Sequence, residues 1–313
     1  MLLKLSENVR RNLRDRSAPF SLGGHRNGDD GMALPPTSSI LSSLRDLRGF
    51  SFDLDGTIWE GPRLLPGAAE LVTDLRNEGF GVVFASNCSR HGAPLLCRQL
   101  EDLGIAVPLP DMFTPFDLVG DEIKRRLGPI PVLVIGTAEV AQVLAAAGHA
   151  DVPVDRWHEA RAVVVGVDHD FSYDRLRAAT RAVMAGAAFF AINLDSRFPV
   201  GPGLFDPGCG SLAEAIAVAS GGRPAAIGKP ELPLFQFVIE RLGCPAHQAA
   251  MVGDSISSDI QGGKAAGMFT IWIDPEDDGI QPTCADLKVR GLPELHQLWR
   301  QARHAAIGNG ESS

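Results

Sequence analysis

Two aspartates one residue apart follow an apolar run, and their position at a turn makes them strong candidates for chemistry. Residues 50–57 read FSFDLDGT. Because side chains alternate along a strand, Asp53 and Asp55 are expected on the same face. Two carboxylates so close repel each other unless a cation lies between them or one carries a proton. Taken alone, this segment fits either a metal-dependent site or an ordinary strand followed by an Asp-Gly turn.

Polar side chains also follow three later apolar runs. They are Ser86 with Asn87, Lys229, and Asp254 with Asp259 a few residues beyond. Ligands of parallel α/β sheets collect at the carboxyl ends of the strands, so we expect these side chains to share one crevice. The oxygens of Asp53, Asp55 and Asp254 suit Mg²⁺. The hydroxyl of Ser86 and the ammonium of Lys229 suit phosphate oxygens.

The elements that would position these residues show an alternating pattern. Short apolar runs are separated by amphipathic stretches, which predicts an α/β fold with a parallel sheet covered by helices. Helical spacing is clear at 69–76 and 95–103, each ahead of a glycine. The apolar runs are 50–54, 82–86, 132–136, 162–167, 189–193, 225–228, 249–253 and 269–274.

Composition limits the function classes. The chain has 313 residues, of which 45% are hydrophobic, enough for a sizeable core. Its formal net charge of -9 argues against nucleic acid, whose binding proteins carry basic surfaces. The five cysteines lack the paired short spacing of zinc or redox motifs, and we interpret them as free thiols. No apolar run is long enough for a bilayer, so we expect a cytoplasmic protein without membrane partners.

The two ends differ in composition from the rest. Residues 1–46 are rich in arginine, glycine, proline and serine, and they offer too little apolar surface to offset the entropy of ordering. We therefore predict a disordered N-terminal extension over 1–46, with Met32 as an alternative start. Residues 304–313 are predicted to form a flexible tail.

The four motifs, in this order and at these strand ends, resemble those of the haloacid dehalogenase (HAD) superfamily of phosphohydrolases. Within it, the segments FASN at 84–87, PGCGSL at 207–212 and GKP at 228–230 resemble the type IIA branch. That branch includes nitrophenyl-phosphate, phosphoglycolate and pyridoxal-phosphate phosphatases. The similarity runs from about residue 48 to about residue 300.

This resemblance implies a domain organisation. A HAD-like, Rossmann-like parallel sheet would form the catalytic core from residues 47–116 and 224–303. Residues 117–223 would form an inserted α/β cap of the C2 type. Caps of this branch also make dimer contacts, so a homodimer through the cap is expected.

The resemblance also assigns chemical roles. The chain is expected to be a Mg²⁺-dependent phosphatase acting on small phosphorylated metabolites. Asp53 would attack phosphorus and form an aspartyl-phosphate. The side chain of Asp55 would act as general acid and base, while its backbone carbonyl joins Asp53 and Asp254 as metal ligands. Lys229 would neutralise charge at the phosphoryl group.

Further residues are expected to hold the phosphate or to support the site. The phosphate-binding set comprises the backbone at Leu54 and Asp55, the side chains of Ser86, Asn87 and Lys229, and Tyr173 and Asp195 from the cap. Thr57 would brace the turn, and Asp259 would orient Lys229 or a metal-bound water. Cys88 stands where the family often has a second asparagine, so the hydrogen bonding of this loop is open.

Other functions remain open at this stage. A phosphotransferase or mutase would use the same aspartyl-phosphate and pass it to another acceptor. A non-catalytic scaffold on the same fold would have lost a catalytic residue, and none is missing. Dehalogenation is disfavoured because it needs no metal, whereas Asp55 and Asp254 suit one.

Overall fold

The structure, a computed structural model, describes residues 37–201, 204–276 and 285–307. Its α-helices are α1 (Thr37–Asp46), α2 (Ala68–Asn77), α3 (Ala93–Asp102), α4 (Pro115–Leu127), α5 (Ala138–Ala146), α6 (Tyr173–Met184), α7 (Cys209–Ser220), α8 (Leu232–Leu242), α9 (Gln261–Ala265) and α10 (Leu292–Ile307). Its strands are β1 (Gly49–Phe52), β2 (Trp59–Glu60), β3 (Arg63–Leu64), β4 (Gly81–Ala85), β5 (Met112–Phe113), β6 (Pro131–Ile135), β7 (Ala150–Asp151), β8 (Ala162–Val165), β9 (Ala188–Ala191), β10 (Arg197–Gly201), β11 (Leu204–Pro207), β12 (Ala225–Ala226), β13 (Ala249–Gly253), β14 (Phe269–Ile273) and β15 (Leu287–Val289).

The first sheet has six parallel strands in the order β15-β14-β13-β1-β4-β5. Strand β1 lies inside it, with Phe52 aligned with Val252 on one side and with Phe84 on the other. Helices cover both faces, so every residue of β1 is buried. This explains why β1 has a continuous apolar run rather than alternation. The ends of β1, β4 and β13 therefore lie side by side.

The second sheet has five parallel strands in the order β12-β9-β8-β6-β7. It has its own apolar cluster, to which β8 contributes Ala162 and three valines and helix α7 contributes Ile216. Two antiparallel hairpins, β2–β3 and β10–β11, accompany the sheets. The predicted α/β fold with parallel strands is confirmed. No helix in the described part of the chain has the length and apolar character needed to span a bilayer.

Several predicted boundaries are wrong. Residues 37–46, assigned to the disordered extension, form helix α1, because Leu44 is fully buried against the first core and α1 packs on α10. Residues 1–36 lie outside the described residues. At the other end, α10 continues through 304–307, so these residues of the predicted tail are helical, and residues 308–313 lie outside the described residues.

Two further corrections concern the second sheet. Helix α4 begins at Pro115, ahead of the predicted cap, and its Phe116 packs in the second apolar cluster. Strand β12 pairs with β9, although residues 224–226 were assigned to the core. A two-residue apolar strand gives no local signal of which sheet it joins, since pairing depends on distant strands.

Candidate active site

Asp53 directly follows β1, and its backbone amide continues the hydrogen bonding of the sheet. Its amide donates to the carbonyl of Val252 in β13 at 2.9 Å, and the residue is 8% exposed. One carboxylate oxygen each from Asp53, Asp254 and Asp259 lies within 4.8 Å of the others. The parallel register of β1 and β13 brings these acids together, as the strand-end argument predicts.

Lys229 is buried and lies between two carboxylates. Its Nζ is 2.5 Å from Asp53 Oδ1 and 2.7 Å from Asp259 Oδ1, and it donates to the carbonyl of Ala85 at 2.8 Å. The contacts with Asp53 and with the Ala85 carbonyl are hydrogen bonds, and the contact with Asp259 is an ion pair. Burial alone would lower the pKa of Lys229, but the charges of Asp259 and Asp53 raise it above its usual value. The lysine is therefore charged at neutral pH.

The strand that precedes Lys229 does not belong to the expected sheet. Lys229 was predicted at the end of a strand in the same sheet as Asp53. It instead follows β12, which belongs to the second sheet. The site is thus built from both sheets, and the lysine links them.

Asp259 is fully buried and both its oxygens are engaged. Oδ1 pairs with Lys229, and Oδ2 accepts the amide hydrogen of Ser255 at 3.1 Å. Burial raises the pKa of Asp259, although Lys229 opposes the shift. These contacts fit the predicted role of orienting Lys229.

Asp254 follows β13 and packs against the turn after β1. A Cβ placed on Gly56 would lie 2.3 Å from Asp254 Oδ2, and Gly56 has φ of 80°. Only glycine meets both requirements without strain. Desolvation of the Asp254 carboxylate, together with the charge of Asp53, raises its pKa to about 6. A divalent cation would relieve this repulsion.

The carboxylate of Asp55 does not belong to that group of acids. Its Oδ1 accepts a hydrogen bond from Trp59 Nε1 at 2.9 Å. Desolvation and the nearby Asp53 raise the pKa of Asp55, while the Trp59 hydrogen bond opposes the shift. Of the predicted metal ligands, the structure brings together the carboxylates of Asp53 and Asp254. A metal contact through the Asp55 backbone carbonyl stays a prediction.

The turn after Asp53 is held by one carbonyl. Leu54 O accepts the amide hydrogens of Thr57, Ile58 and Trp59 at 3.2, 2.9 and 3.0 Å. The amides of Leu54 and Asp55 donate no hydrogen bond within the described residues, which suits their predicted contact with phosphate. The Thr57 hydroxyl is buried and has no partner among the described residues, so the brace expected from it is supplied by backbone instead.

Ser86 and Asn87 follow β4 at the same edge. Ser86 is buried, and its Oγ accepts the amide hydrogen of Cys88 at 3.2 Å, which leaves the hydroxyl hydrogen free to donate. Cys88 therefore supports the loop through its backbone.

Asn87 joins the two sheets through residues that follow β9. Its Nδ2 donates to Asp195 Oδ2 and to the Lys229 carbonyl, both at 3.2 Å. Asn193 Nδ2 donates to the Asn87 carbonyl at 2.7 Å and to Asp195 Oδ2 at 3.0 Å. Burial raises the pKa of Asp195. The structure thus brings Asp195 to the site, as predicted.

For some residues, the structure and the predicted set of site residues differ. Tyr173 begins α6, is 76% exposed and has the Arg177 guanidinium 5.9 Å from its ring centroid, so its contact with substrate stays a prediction. Trp59 and Asn193 were missing from the predicted site. The sequence does contain a signal for Trp59, because this indole lies four residues after Asp55, just beyond a glycine turn, where it can reach the carboxylate. Asn193 is the last residue of the apolar run 189–193, and that run alone does not mark it as functional.

A cavity of about 430 Å³ opens beside Asp55 and Ser86. Arg90 also lines it, and its guanidinium lies 4.4 Å from the ring centroid of Phe198 in β10. The site therefore combines an acidic group suited to a hard cation, free amide and hydroxyl donors, and an adjoining space for an organic group.

Comparison with known proteins decides the family. Residues 50–150 match the family described as haloacid dehalogenase-like hydrolase, and residues 226–277 match a second description, HAD-hydrolase-like. The chain is 34% identical over 244 residues to chronophin from Mus musculus, covering 74% of this chain and 83% of that protein. The chain belongs to the haloacid dehalogenase-like hydrolases.

Two further comparisons indicate the branch of this family to which the chain belongs. Glycerol-3-phosphate phosphatase from Homo sapiens is 30% identical over 270 residues, which cover 78% of this chain and 84% of that protein. The structure of a 4-nitrophenylphosphatase from Thermotoga maritima aligns with TM-score 0.73 and 30% identity, covering 82% of this chain and 98% of that one. This haloacid dehalogenase-like hydrolase is therefore a phosphatase of the type IIA branch, as the motifs predicted.

Proposed function

We propose that this chain is a Mg²⁺-dependent phosphatase that hydrolyses small phosphate monoesters through an aspartyl-phosphate on Asp53. One observation carries the proposal: the buried ammonium of Lys229 lies 2.5 Å from Asp53 Oδ1, beside the group of acids at the strand ends. Lys229 fixes one oxygen of Asp53, which leaves the other as the nucleophile. The ammonium also stabilises negative charge that develops on the phosphoryl oxygens.

The amide and hydroxyl donors of the site support a binding position for the phosphoryl group beside Asp53. The amides of Leu54 and Asp55 and the hydroxyl of Ser86 surround Asp53 and have donor hydrogens available. They would bind the equatorial oxygens and align phosphorus with the Asp53 carboxylate. Such positioning lowers the barrier because the donors are already oriented.

Asp55 is the proposed proton carrier. Its raised pKa favours a protonated carboxyl that can give its proton to the departing alcohol. The resulting carboxylate can then deprotonate the water that attacks the aspartyl-phosphate. The hydrogen bond from Trp59 restrains the orientation of this carboxylate.

Asp53, Asp254 and the Asp55 carbonyl would hold Mg²⁺, because hard oxygen donors suit this ion. When bound, the ion would neutralise the carboxylates and reduce repulsion toward the phosphate dianion. Asp259 is occupied by Lys229 and Ser255, so it would stay outside the direct ligands.

The nucleophile is tested by Asp53→Asn. This change keeps the shape of the side chain but removes its nucleophilic charge, so we expect release of phosphate from nitrophenyl phosphate to fall by at least about 10³-fold. Wild-type activity should disappear with a chelator and return with Mg²⁺. The control is Asp121→Asn, an exposed acid on α4 that lies outside the cavity. Retained turnover by a folded Asp53→Asn protein would refute the assignment.

The partners and location are also proposed. We infer a homodimer through hairpin β10–β11, because Val200, Leu204 and Phe205 are 50%, 64% and 51% exposed there. Clustered exposed apolar side chains are typical of protein interfaces. The four described cysteines are free, which fits a reducing, cytoplasmic location.

A further inference from the structure

Arg90 holds an unusual position between the two sheets. It lies in the loop after β4, and its guanidinium is 4.4 Å from the ring centroid of Phe198 in β10. A cation–π contact of this kind requires no N–H···O hydrogen bond, so the guanidinium can still donate to a ligand. Phe198 therefore orients Arg90 without using its donors.

The charge of Arg90 has no ion-pair partner among the described residues. Asp55 and Asp102 line the same cavity, and neither forms a salt bridge with Arg90. The cavity, about 430 Å³ in volume, extends from Asp55 and Ser86 to Arg90. A group attached to a phosphate held at Ser86 would therefore enter a space that contains an oriented cation.

We propose that Arg90 is a specificity-determining residue that binds a carboxylate on the leaving group of the phosphate monoester. This inference rests on the proposed function. The planar guanidinium matches a carboxylate through two parallel hydrogen bonds. A second phosphate fits less well, because its greater charge would be repelled more strongly by Asp102, which lines the same cavity.

The contact is remote from phosphorus and should be similar in the ground and transition states, so it should act mainly on KM. A hydrogen-bonded charged pair of this kind corresponds to about 10- to 100-fold in affinity. We therefore expect the wild-type protein to prefer 4-carboxyphenyl phosphate over phenyl phosphate, measured as the ratio of kcat/KM values.

The test compares this ratio among variants. Arg90→Ala should reduce the preference about tenfold or more, and Arg90→Lys should retain part of it because the charge remains but the planar fork is lost. If Arg90→Ala does not fold, Arg90→Gln gives the same comparison with a longer neutral side chain. The matched control is Arg98→Ala, which removes an exposed arginine from α3 outside the cavity and should keep the wild-type ratio.

The outcomes separate the two hypotheses. If wild type hydrolyses both esters without preference, or if the ratio in Arg90→Ala equals that of wild type, the assignment of Arg90 is wrong and the phosphatase proposal stands. If wild type releases phosphate from neither ester, the proposed function itself fails. A fall in the ratio caused mainly by a higher KM for the carboxylated ester supports the assignment.

Discussion

At the scale of single residues, the site depends on one buried cation between two buried acids. Lys229 compensates Asp53 and Asp259, and an ion of this kind is costly to leave unpaired. The raised pKa of Lys229 means that its contribution to stability is complete below the usual lysine pKa and is lost as pH rises through the folded value. Near neutral pH the contribution is therefore fully present.

Lys229→Met should lower the free energy of unfolding at pH 7 by about 3–5 kcal/mol, because it leaves two buried carboxylates without a partner. The loss should shrink as pH falls from 7 to 5, since Asp259, whose pKa is raised by burial, can then take up a proton. Urea unfolding at several pH values measures both effects. Lys264→Met is the control, because it removes an exposed pair with Asp286 and should cost only about 0–1 kcal/mol. Equal losses in the two variants would contradict the argument.

Trp59 is the second residue whose effect can be isolated. Trp59→Phe keeps most of the buried ring but removes the hydrogen bond to Asp55. We expect kcat to fall about tenfold, part of the usual contribution of general acid-base catalysis. That hydrogen bond opposes the rise of the Asp55 pKa, so its loss should raise the pKa further. The limb of the pH–rate profile that requires ionised Asp55 should therefore move to higher pH.

The control for this change is Trp157→Phe, which alters an indole of the second apolar cluster far along the chain from the turn. Its pH–rate profile should match that of wild type. A profile of Trp59→Phe that also matched wild type would show that the indole does not position Asp55.

At the scale of elements, helix α1 shows how packing can order a segment of unpromising composition. Helices α1 and α10 pack together over the first core, where Leu44 of α1 and Trp299 of α10 are buried. The local sequence around 37–46 is rich in serine, so its helical state depends on this apolar contact rather than on propensity.

Leu44→Ala tests this account. Removing a buried leucine side chain should lower the free energy of unfolding by about 2–5 kcal/mol, measured by urea denaturation. Asp46→Ala, at an exposed position of the same helix, should change it by no more than about 0.5 kcal/mol. A Leu44→Ala value as small as the control would mean that α1 contributes little to the core.

At the scale of the whole molecule, the second sheet contributes directly to the site, because residues that follow its strands complete it. Lys229 follows β12, and the chain after β9 supplies Asn193 and Asp195. Catalysis by this protein should therefore be sensitive to how the two sheets are held together.

The proposed dimer belongs to the same scale. Phe205→Asp should convert the assembly to a monomer, because a charge in the centre of an apolar interface is left desolvated. Light scattering coupled to size exclusion measures the mass. Leu109→Asp, at another exposed apolar position, should leave the mass unchanged. A wild-type protein that runs as a monomer would refute the dimer.

Much of this protein follows from its sequence because the decisive features are local. The apolar run before Asp53, the alternation along a strand and the glycine at 56 are all read within eight residues, and they predict a strand, a paired acid and a turn. The repeated pattern of run and helix similarly predicts parallel strands. These features determined the family, the α/β fold and the candidate acids.

The tertiary structure alone decided which distant groups meet. Lys229 and Asp53 are separated by 176 positions, and Asn193 and Asn87 by 106. Strand β12 could have joined either sheet as far as its own residues show, and α1 gains its order from α10. Contacts of this kind depend on pairing and packing across the whole chain, which local periodicity does not encode. For the same reason, the hydrogen bond from Trp59 to Asp55 and the contact of Arg90 with Phe198 became visible only in three dimensions.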